Sequence, residues 1–314
     1  MKVLPCTLLM IVTPRDYDLA IYSIKSISKI IKIENLFIKI YANALKSEQE
    51  RRIKKIIKKW SRVTLLSNKA SFNSENSNIL NEIGRSYITD KGRCELRVGT
   101  YESAPEIWER ELLRLDTELV GIMDPDFEIF NGDFLEIILA KLESNSKIGF
   151  HSTDYTKTGD YFNTHKTKDD FYSNQQTILM ERYHTWFCIY QRSILEKHSD
   201  FSYYEKIDND KHYTYDHSAK LQEVLKSEYG VIGESLDSSL NWCYLHFSGF
   251  SNNDTLKGFN LYLYRLVRIG IHNGFKHYLK SDLICKKITK LCKIVYKLIK
   301  LKKYDMERTE FSWQ

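Results

Sequence analysis

The 314-residue sequence predicts an α/β protein with a mostly parallel central sheet flanked by helices. Three observations carry that prediction. Strand-like and helix-like patterns alternate through the first 150 residues with short connections, as parallel βαβ units require. The first strand candidate, TLLMIVT (7–13), is almost wholly apolar, which suits a strand covered on both faces. Only 13 Gly and 4 Pro occur, so no low-complexity linker divides the chain.

The first strand stops at Pro14, which has no N–H for a ladder. Ala20, Ile24, Ile27 and Ile31 then recur at spacings of four, three and four, the stripe of an amphipathic helix. LFIKIYA (36–42) is the second strand. Ser47-Glu-Gln-Glu50 has the form of a capping box, opening a helix whose apolar face is Ile53, Ile56, Ile57 and Trp60. RVTLLS (62–67) is the third strand, and the Asn- and Ser-rich stretch from Asn68 to Gly92 is expected to be loop with one short helix. A second capping-box sequence, Ser103-Ala-Pro-Glu106, opens a helix that turns Ile107, Trp108, Leu112 and Leu115 inward. ELVGIM (118–123) is the fourth strand, ending at Asp124-Pro125-Asp126. A helix carrying Leu135, Ile138, Leu139 and Leu142 follows, then a strand, KIGFHS (147–152). Beyond residue 150 the pattern weakens to aromatic-polar segments with one isolated helix near Lys220 to Leu225.

Composition excludes several classes. With 42% hydrophobic and 28% charged residues the chain is globular rather than disordered or fibrous. The six cysteines are scattered, with no CxxC pair and no Cys/His cluster at zinc spacing, so neither a disulfide framework nor a zinc site is expected, and the compartment is read as reducing. No run approaches the roughly 18 apolar residues of a spanning helix, and the short run Thr7 to Val12 is better explained as a buried strand than as a signal peptide. Net charge is +6, yet from Lys276 onward 11 Lys/Arg face four Asp/Glu, so the body is close to neutral. A protein that wraps nucleic acid over its main surface is excluded, and no nucleic-acid partner is expected.

Asp124-Pro125-Asp126 is the most informative triplet. In extended backbone, residues two apart point to the same side, so both carboxylates face one hard cation. Pro125 fixes the local φ and suits a strand that ends at a site. Two carboxylates with phosphate oxygens form a coordination set for Mn²⁺ or Mg²⁺. Ligands of such sheets bind outside the carboxyl ends of the strands, where this triplet falls. Trp186 and Trp242 offer faces on which a sugar ring could stack.

From Thr7 to about Asn252 the chain resembles the nucleotide-sugar-dependent glycosyltransferases of the A-type fold, especially the family 2-like bacterial enzymes. LLMIVTPRDY (8–17) is similar to their opening strand and nucleotide-contacting loop, which implies nucleotide contacts at Thr13, Pro14, Arg15 and Tyr17. TELVGIMDPDFEIF (117–130) resembles the strand leading into their metal-binding DxD, with Asp124 also near the nucleotide. WFCIYQRSILEK (186–197) resembles the segment carrying the acceptor-side strand. YDHSAKLQEVLKSEYGVI (215–232) resembles the stretch that supplies the catalytic base, which implies Asp216. His246, in NWCYLHFSGF (241–250), matches in position the late His that adds a third metal ligand in many of these enzymes. Two departures stand out: the second strand ends Tyr41-Ala42-Asn43 without the family's usual acids, and Tyr215 precedes Asp216 where a second acid is common.

The resemblance implies one catalytic domain over 1–275, with a nucleotide-sugar-binding half (1–150) and an acceptor half (151–275), followed by a basic helical tail (276–314). In that tail, Ile284, Ile288, Leu291, Val295 and Leu298 form one stripe of a helix over 283–304, with Lys286, Lys290, Lys293, Lys297 and Lys300 mostly off it. This is the pattern of a helix lying on an anionic membrane surface, and it predicts a cytoplasmic protein peripheral to the inner face of the membrane. The implied activity is metal-dependent sugar transfer from a nucleotide diphosphate sugar to a glycan or lipid-linked acceptor, inverting if Asp216 is the base. A retaining transferase on the same fold and a noncatalytic glycan- or lipid-binding protein are the alternatives. A nucleotidyltransferase would bring a Gly- and Arg-rich loop after the first strand, and PRDYDLA is not one.

Overall fold

A computed structural model describes residues 4–68, 86–88, 93–96, 104–160, 176–208, 211–247 and 258–298. The first half runs β1 (Cys6–Val12), α1 (Tyr17–Ser26), β2 (Leu36–Asn43), α2 (Ser47–Ile57), β3 (Val63–Asn68), β4 (Ser86–Ile88), β5 (Arg93–Leu96), α3 (Ala104–Leu112), β6 (Leu119–Met123), β7 (Phe127–Ile129), α4 (Asp133–Ser144) and β8 (Ile148–Ser152). The second runs β9 (Tyr155–Thr156), β10 (Gly159–Asp160), β11 (Gln176–Leu179), β12 (Arg182–Tyr183), β13 (Phe187–Gln191), α5 (Arg192–Leu195), β14 (Tyr203–Asp208), β15 (Lys211–Tyr215), α6 (Ala219–Tyr229), β16 (Ile232–Ser235), β17 (Tyr244–His246), α7 (Gly258–Asn273) and α8 (Asp282–Leu298).

Seven strands form the central sheet in the order β16-β8-β13-β6-β1-β2-β3. All pairings are parallel except those of β13, which runs against β6 and β8. The expected α/β architecture is therefore present. The strand order reverses at β1, with β2 and β3 on one side and β6 on the other, and such a switch point opens a crevice beyond the carboxyl ends. Every residue of β1 is buried. Its side chains alternate between two cores: Leu8 and Met10 pack with α1 and α4, whereas Leu9 and Ile11 pack with α3 and α6. Each such apolar side chain contributes about 1.5–3 kcal/mol on burial, which fixes the strand whose end carries the site.

The structure corrects several local expectations. Lys46, not Ser47, is the residue before α2, and its N–H donates to the Gln49 side chain at 2.9 Å, so the capping contact closes one residue earlier. Ser103 and most of 68–92 lie outside the described residues, as do 299–304 of the expected tail helix. Within 68–92, residues 86–88 form a strand, not part of a loop. The weakly patterned second half contributes β10, β11, β14 and β15 to a six-stranded sheet, β10-β11-β15-β14-β5-β4, completed by two strands of the first half, with β14 joined to β5 and β11 to β15 across long sequence separations. It also holds α7, whose Leu261, Tyr264 and Val267 are buried.

Helix α8 docks on α7. Tyr296 joins a cluster with Tyr264, Leu261, Phe130 and Phe247, and the Thr289 hydroxyl donates to the Gly270 carbonyl at 3.1 Å. Gly270 lies so close to Cys292 that no Cβ fits between them. The stripe expected to face a membrane is thus divided. Ile288 and Val295 are half-buried, while Ile284 and Leu291 stay exposed together with Leu283 and Ile294. No helix of the described residues is long and apolar enough to cross a membrane.

Candidate metal centre

The carboxyl edge of the sheet gathers the site. At the end of β1, a turn from Thr13 to Asp16 is closed by the Asp16 N–H donating to the Thr13 carbonyl at 3.2 Å, and the Thr13 hydroxyl donates to Asp16 Oδ2 at 2.7 Å. At the end of β6, the Asp124 N–H donates to the Trp186 carbonyl at 2.8 Å, and a turn returns the Phe127 N–H to the Asp124 carbonyl at 3.2 Å. Trp186 reaches this edge because β13 is antiparallel and starts there.

β7 and β17 pair antiparallel, with His246 opposite Phe127, and the Phe247 N–H donates to the Asp126 carbonyl at 3.1 Å. The pairing sets the His246 imidazole beside both carboxylates. Its Nε2 lies 3.1 Å from Asp126 Oδ1 and 3.5 Å from Asp124 Oδ2, and the three ligand atoms lie within 4.8 Å of one another. Neighbouring ligands of a six-coordinate Mg²⁺ stand roughly 3 Å apart for bonds of 2.0–2.1 Å, so both separations from His246 suit neighbouring positions around one such ion.

The electrostatics favour a cation. Asp16 is pushed up to about 6 by burial, opposed by the Thr13 hydroxyl and reinforced by the charges of Asp126 and Asp124. Asp124 is also raised, first by burial, with His246 opposing and Asp126 adding. Burial disfavours the charged form of His246, but Asp126 and Asp124 outweigh it and hold the ring up to about 9. Three carboxylates that repel one another, held against a single imidazole, present a charge excess that a divalent ion would neutralise.

Trp186 walls the centre. Its ring lies 4.2 Å from the His246 ring and stacks flat on His184 at 3.9 Å, and its Nε1 donates to Asp154 Oδ2 at 3.0 Å. Trp242 is elsewhere, half-buried against the central core under the Lys276 ammonium at 6.0 Å, and no ring contact joins it to Trp186 or His246. Among the expected nucleotide contacts, Arg15 is exposed and Pro14 half-buried, but Tyr17 opens α1 with its ring in the core.

Asp216 lies between β15 and α6. Its Oδ2 pairs with Arg182, and its Oδ1 accepts the His217 N–H at 2.7 Å. It is not the helix N-cap: Ser218 holds that position with φ of +66°. His217 is brought down to about 4 by burial and then by Arg182, while the Asp124 charge opposes, so this segment stands within electrostatic reach of the metal centre.

Sequence reasoning missed Asp16, Asp154, Arg182, His184 and His217. Asp16 and Asp154 were within reach of the argument used for Asp124, since each follows the carboxyl end of a parallel strand. The other three lie in irregular or two-residue elements with no periodic signal.

No family model matches the sequence, and no curated protein does. Solved structures similar to this chain include nucleotide-sugar glycosyltransferases of the A-type fold. A mannosyltransferase from Pyrobaculum calidifontis, in complex with GDP-Man and Mn²⁺, aligns at 13% identity with a TM-score of 0.46, over 91% of this chain and 68% of that one. TarS from S. aureus, in complex with UDP-GlcNAc, aligns at 10% identity and a TM-score of 0.35, over 67% of this chain and 55% of its own. A CMP:2-keto-3-deoxy-manno-octonic acid synthetase complexed with CTP aligns at 6% identity and a TM-score of 0.35, over 74% and 89%. The chemistry of this chain therefore rests on its own side chains.

Proposed function

We propose that this chain is a divalent-metal-dependent glycosyltransferase that moves a hexosyl group from a nucleotide diphosphate sugar to a glycan or lipid-linked acceptor in bacterial surface polysaccharide assembly. The observation that carries the reading is the convergence of Asp124, Asp126 and His246 at the switch point of the sheet, beside the loop that ends β1. Mn²⁺ or Mg²⁺ held there would neutralise the diphosphate as it leaves. The turn from Thr13 to Arg15 lies at the same edge and is suited to hold the nucleoside. The exposed part of the Trp186 ring offers a face for the transferred or accepting sugar. Asp216 takes the proton of the acceptor hydroxyl, and displacement at the anomeric carbon is direct, with inversion.

A panel of UDP-, GDP- and dTDP-sugars, each with and without Mn²⁺, tests the reading by thermal unfolding. One donor should stabilise the chain only with the metal, by about 2.7 kcal/mol at 100 times its Kd, and should then be hydrolysed slowly. Failure of every donor to stabilise in Mn²⁺ would overturn it, and stabilisation without turnover would favour a binding protein.

The chain would work at the inner face of the cytoplasmic membrane, peripheral to it, meeting anionic lipid through the outer face of α8. There Leu283, Ile284, Leu291 and Ile294 are exposed beside Lys286, Lys290 and Lys293. Leu291→Glu with Ile294→Glu alters this face alone and leaves the row docked on α7. That double variant should lose co-sedimentation with phosphatidylglycerol vesicles, and added salt should weaken binding of the parent. Equal sedimentation of both would refute lipid contact.

A further inference from the structure

A cavity separate from the metal trio lies between the end of α1, β7, α7 and the turn that follows α7. Its volume of about 390 Å³ is that of a small-ligand pocket, and it shares no lining residue with the metal trio. Chemistry is graded across it. Ile129, Phe130 and Ile269, all buried, lie at its inner side, while exposed Lys25 and Lys29 stand at its mouth with Tyr262 and Tyr278. We propose that this cleft binds an anionic amphiphile, the phosphoryl headgroup of a membrane lipid at the lysines with the start of its apolar chain against the inner side.

Charge supports that occupant. Arg265 is held by both oxygens of Glu128, and its guanidinium lies 4.4 Å from the centre of the Tyr22 ring, so this pair forms a rigid wall that is neutral as a whole. Lys25 and Lys29 make no ion pair with a described residue, which leaves two cations at the mouth facing the solvent. His277 lines the cleft and stacks flat on Phe130 at 4.6 Å. Burial first, then Lys29 and Arg265, bring its ring down to about 4, so it enters the cleft as a neutral imidazole able to bond a phosphate oxygen. A saccharide is less suited, because the inner side of the cleft offers aliphatic and phenyl surface where sugar hydroxyls need polar partners. The exposed tyrosines at the mouth are the rings that settle at a lipid–water boundary.

The test uses the full chain without metal or nucleotide, so its result is separate from that of the glycosyltransferase reading. Calorimetry with dihexanoyl phosphatidic acid, a soluble lipid phosphate, should show saturable binding roughly tenfold or more tighter than dihexanoyl phosphatidylcholine or inorganic phosphate. Lys25→Ser with Lys29→Ser changes only exposed side chains and should weaken it by roughly tenfold or more. His277→Phe keeps the stack on Phe130, removes the ring nitrogens and should weaken binding as well. Leu291→Glu with Ile294→Glu on α8 should leave it unchanged. Inorganic phosphate binding as tightly as the lipid phosphate would reduce the cleft to an anion site and overturn the proposal. So would tighter binding of an acidic oligosaccharide, indifference to the lysine pair, or no saturable binding at millimolar lipid.

Discussion

Asp126→Ala is expected to abolish Mn²⁺-dependent donor binding while the chain stays folded. The side chain supplies the oxygen nearest His246, at 3.1 Å, so its loss removes one of three ligands and leaves Asp124 and the imidazole to hold the ion. Loss of an outer-shell partner alone typically costs 10–100-fold in metal affinity, and loss of a direct ligand should exceed about 100-fold. The backbone around the site does not depend on this carboxylate, because the Phe247 N–H is bound by the Asp126 carbonyl, which alanine retains. Asp16 and Asp124 both feel the Asp126 charge as repulsion, and only His246 loses an attraction. Unfolding free energy without metal should therefore change little. Calorimetry with Mn²⁺ and the donor, beside urea unfolding of the same samples, checks both parts. A variant that binds ion and donor as the parent does would reduce the triplet to a strand-ending turn.

The elements legible in the sequence are those whose signal is local and whose burial is complete. β1 and β6 read as strands because helices cover both faces and no polar residue interrupts either run beyond Thr7. Asp124 and Asp126 followed from β6, since the end of a buried parallel strand is where ligands sit. His246 could not follow in the same way. Its place beside Asp126 depends on pairing β17 with β7, residues more than a hundred positions apart, and only the family resemblance pointed to it. Tyr17 and Trp242 show another limit: an aromatic near a site reads the same whether it faces a ligand or the core, and here the Tyr17 ring is buried in the core while Trp242, like Trp186, is half-buried against it. The tail is legible as a helix, but which of its faces docks is not. A helix of alternating Lys and aliphatic residues has apolar side chains on more than one face, and Thr289, Cys292 and Tyr296 meet α7 together with Val295 of the aliphatic row, while Ile284 and Leu291 of that row stay exposed.

Asp216→Asn is expected to lower sugar transfer by about 10²–10⁴-fold, the usual contribution of a positioned base, with donor affinity within roughly twofold of the parent because the change touches the transition state and not ground-state binding. The single amide oxygen still accepts the His217 N–H, so the backbone before α6 should keep its shape, while the amide NH2 takes the place of the oxygen that pairs with Arg182. What the amide lacks is the ability to take a proton. The competing role is structural: Asp216 would serve only to hold Arg182, which is largely buried and would lose its charged partner. Arg182→Gln separates the two. If the pair is purely structural, Asp216→Asn and Arg182→Gln should impair transfer alike and leave the acid limb of the pH–rate profile in both. If Asp216 is the base, the acid limb should vanish in Asp216→Asn alone, since Arg182→Gln keeps the carboxylate. Near-normal transfer by Asp216→Asn would remove the residue from catalysis and reopen the retaining mechanism.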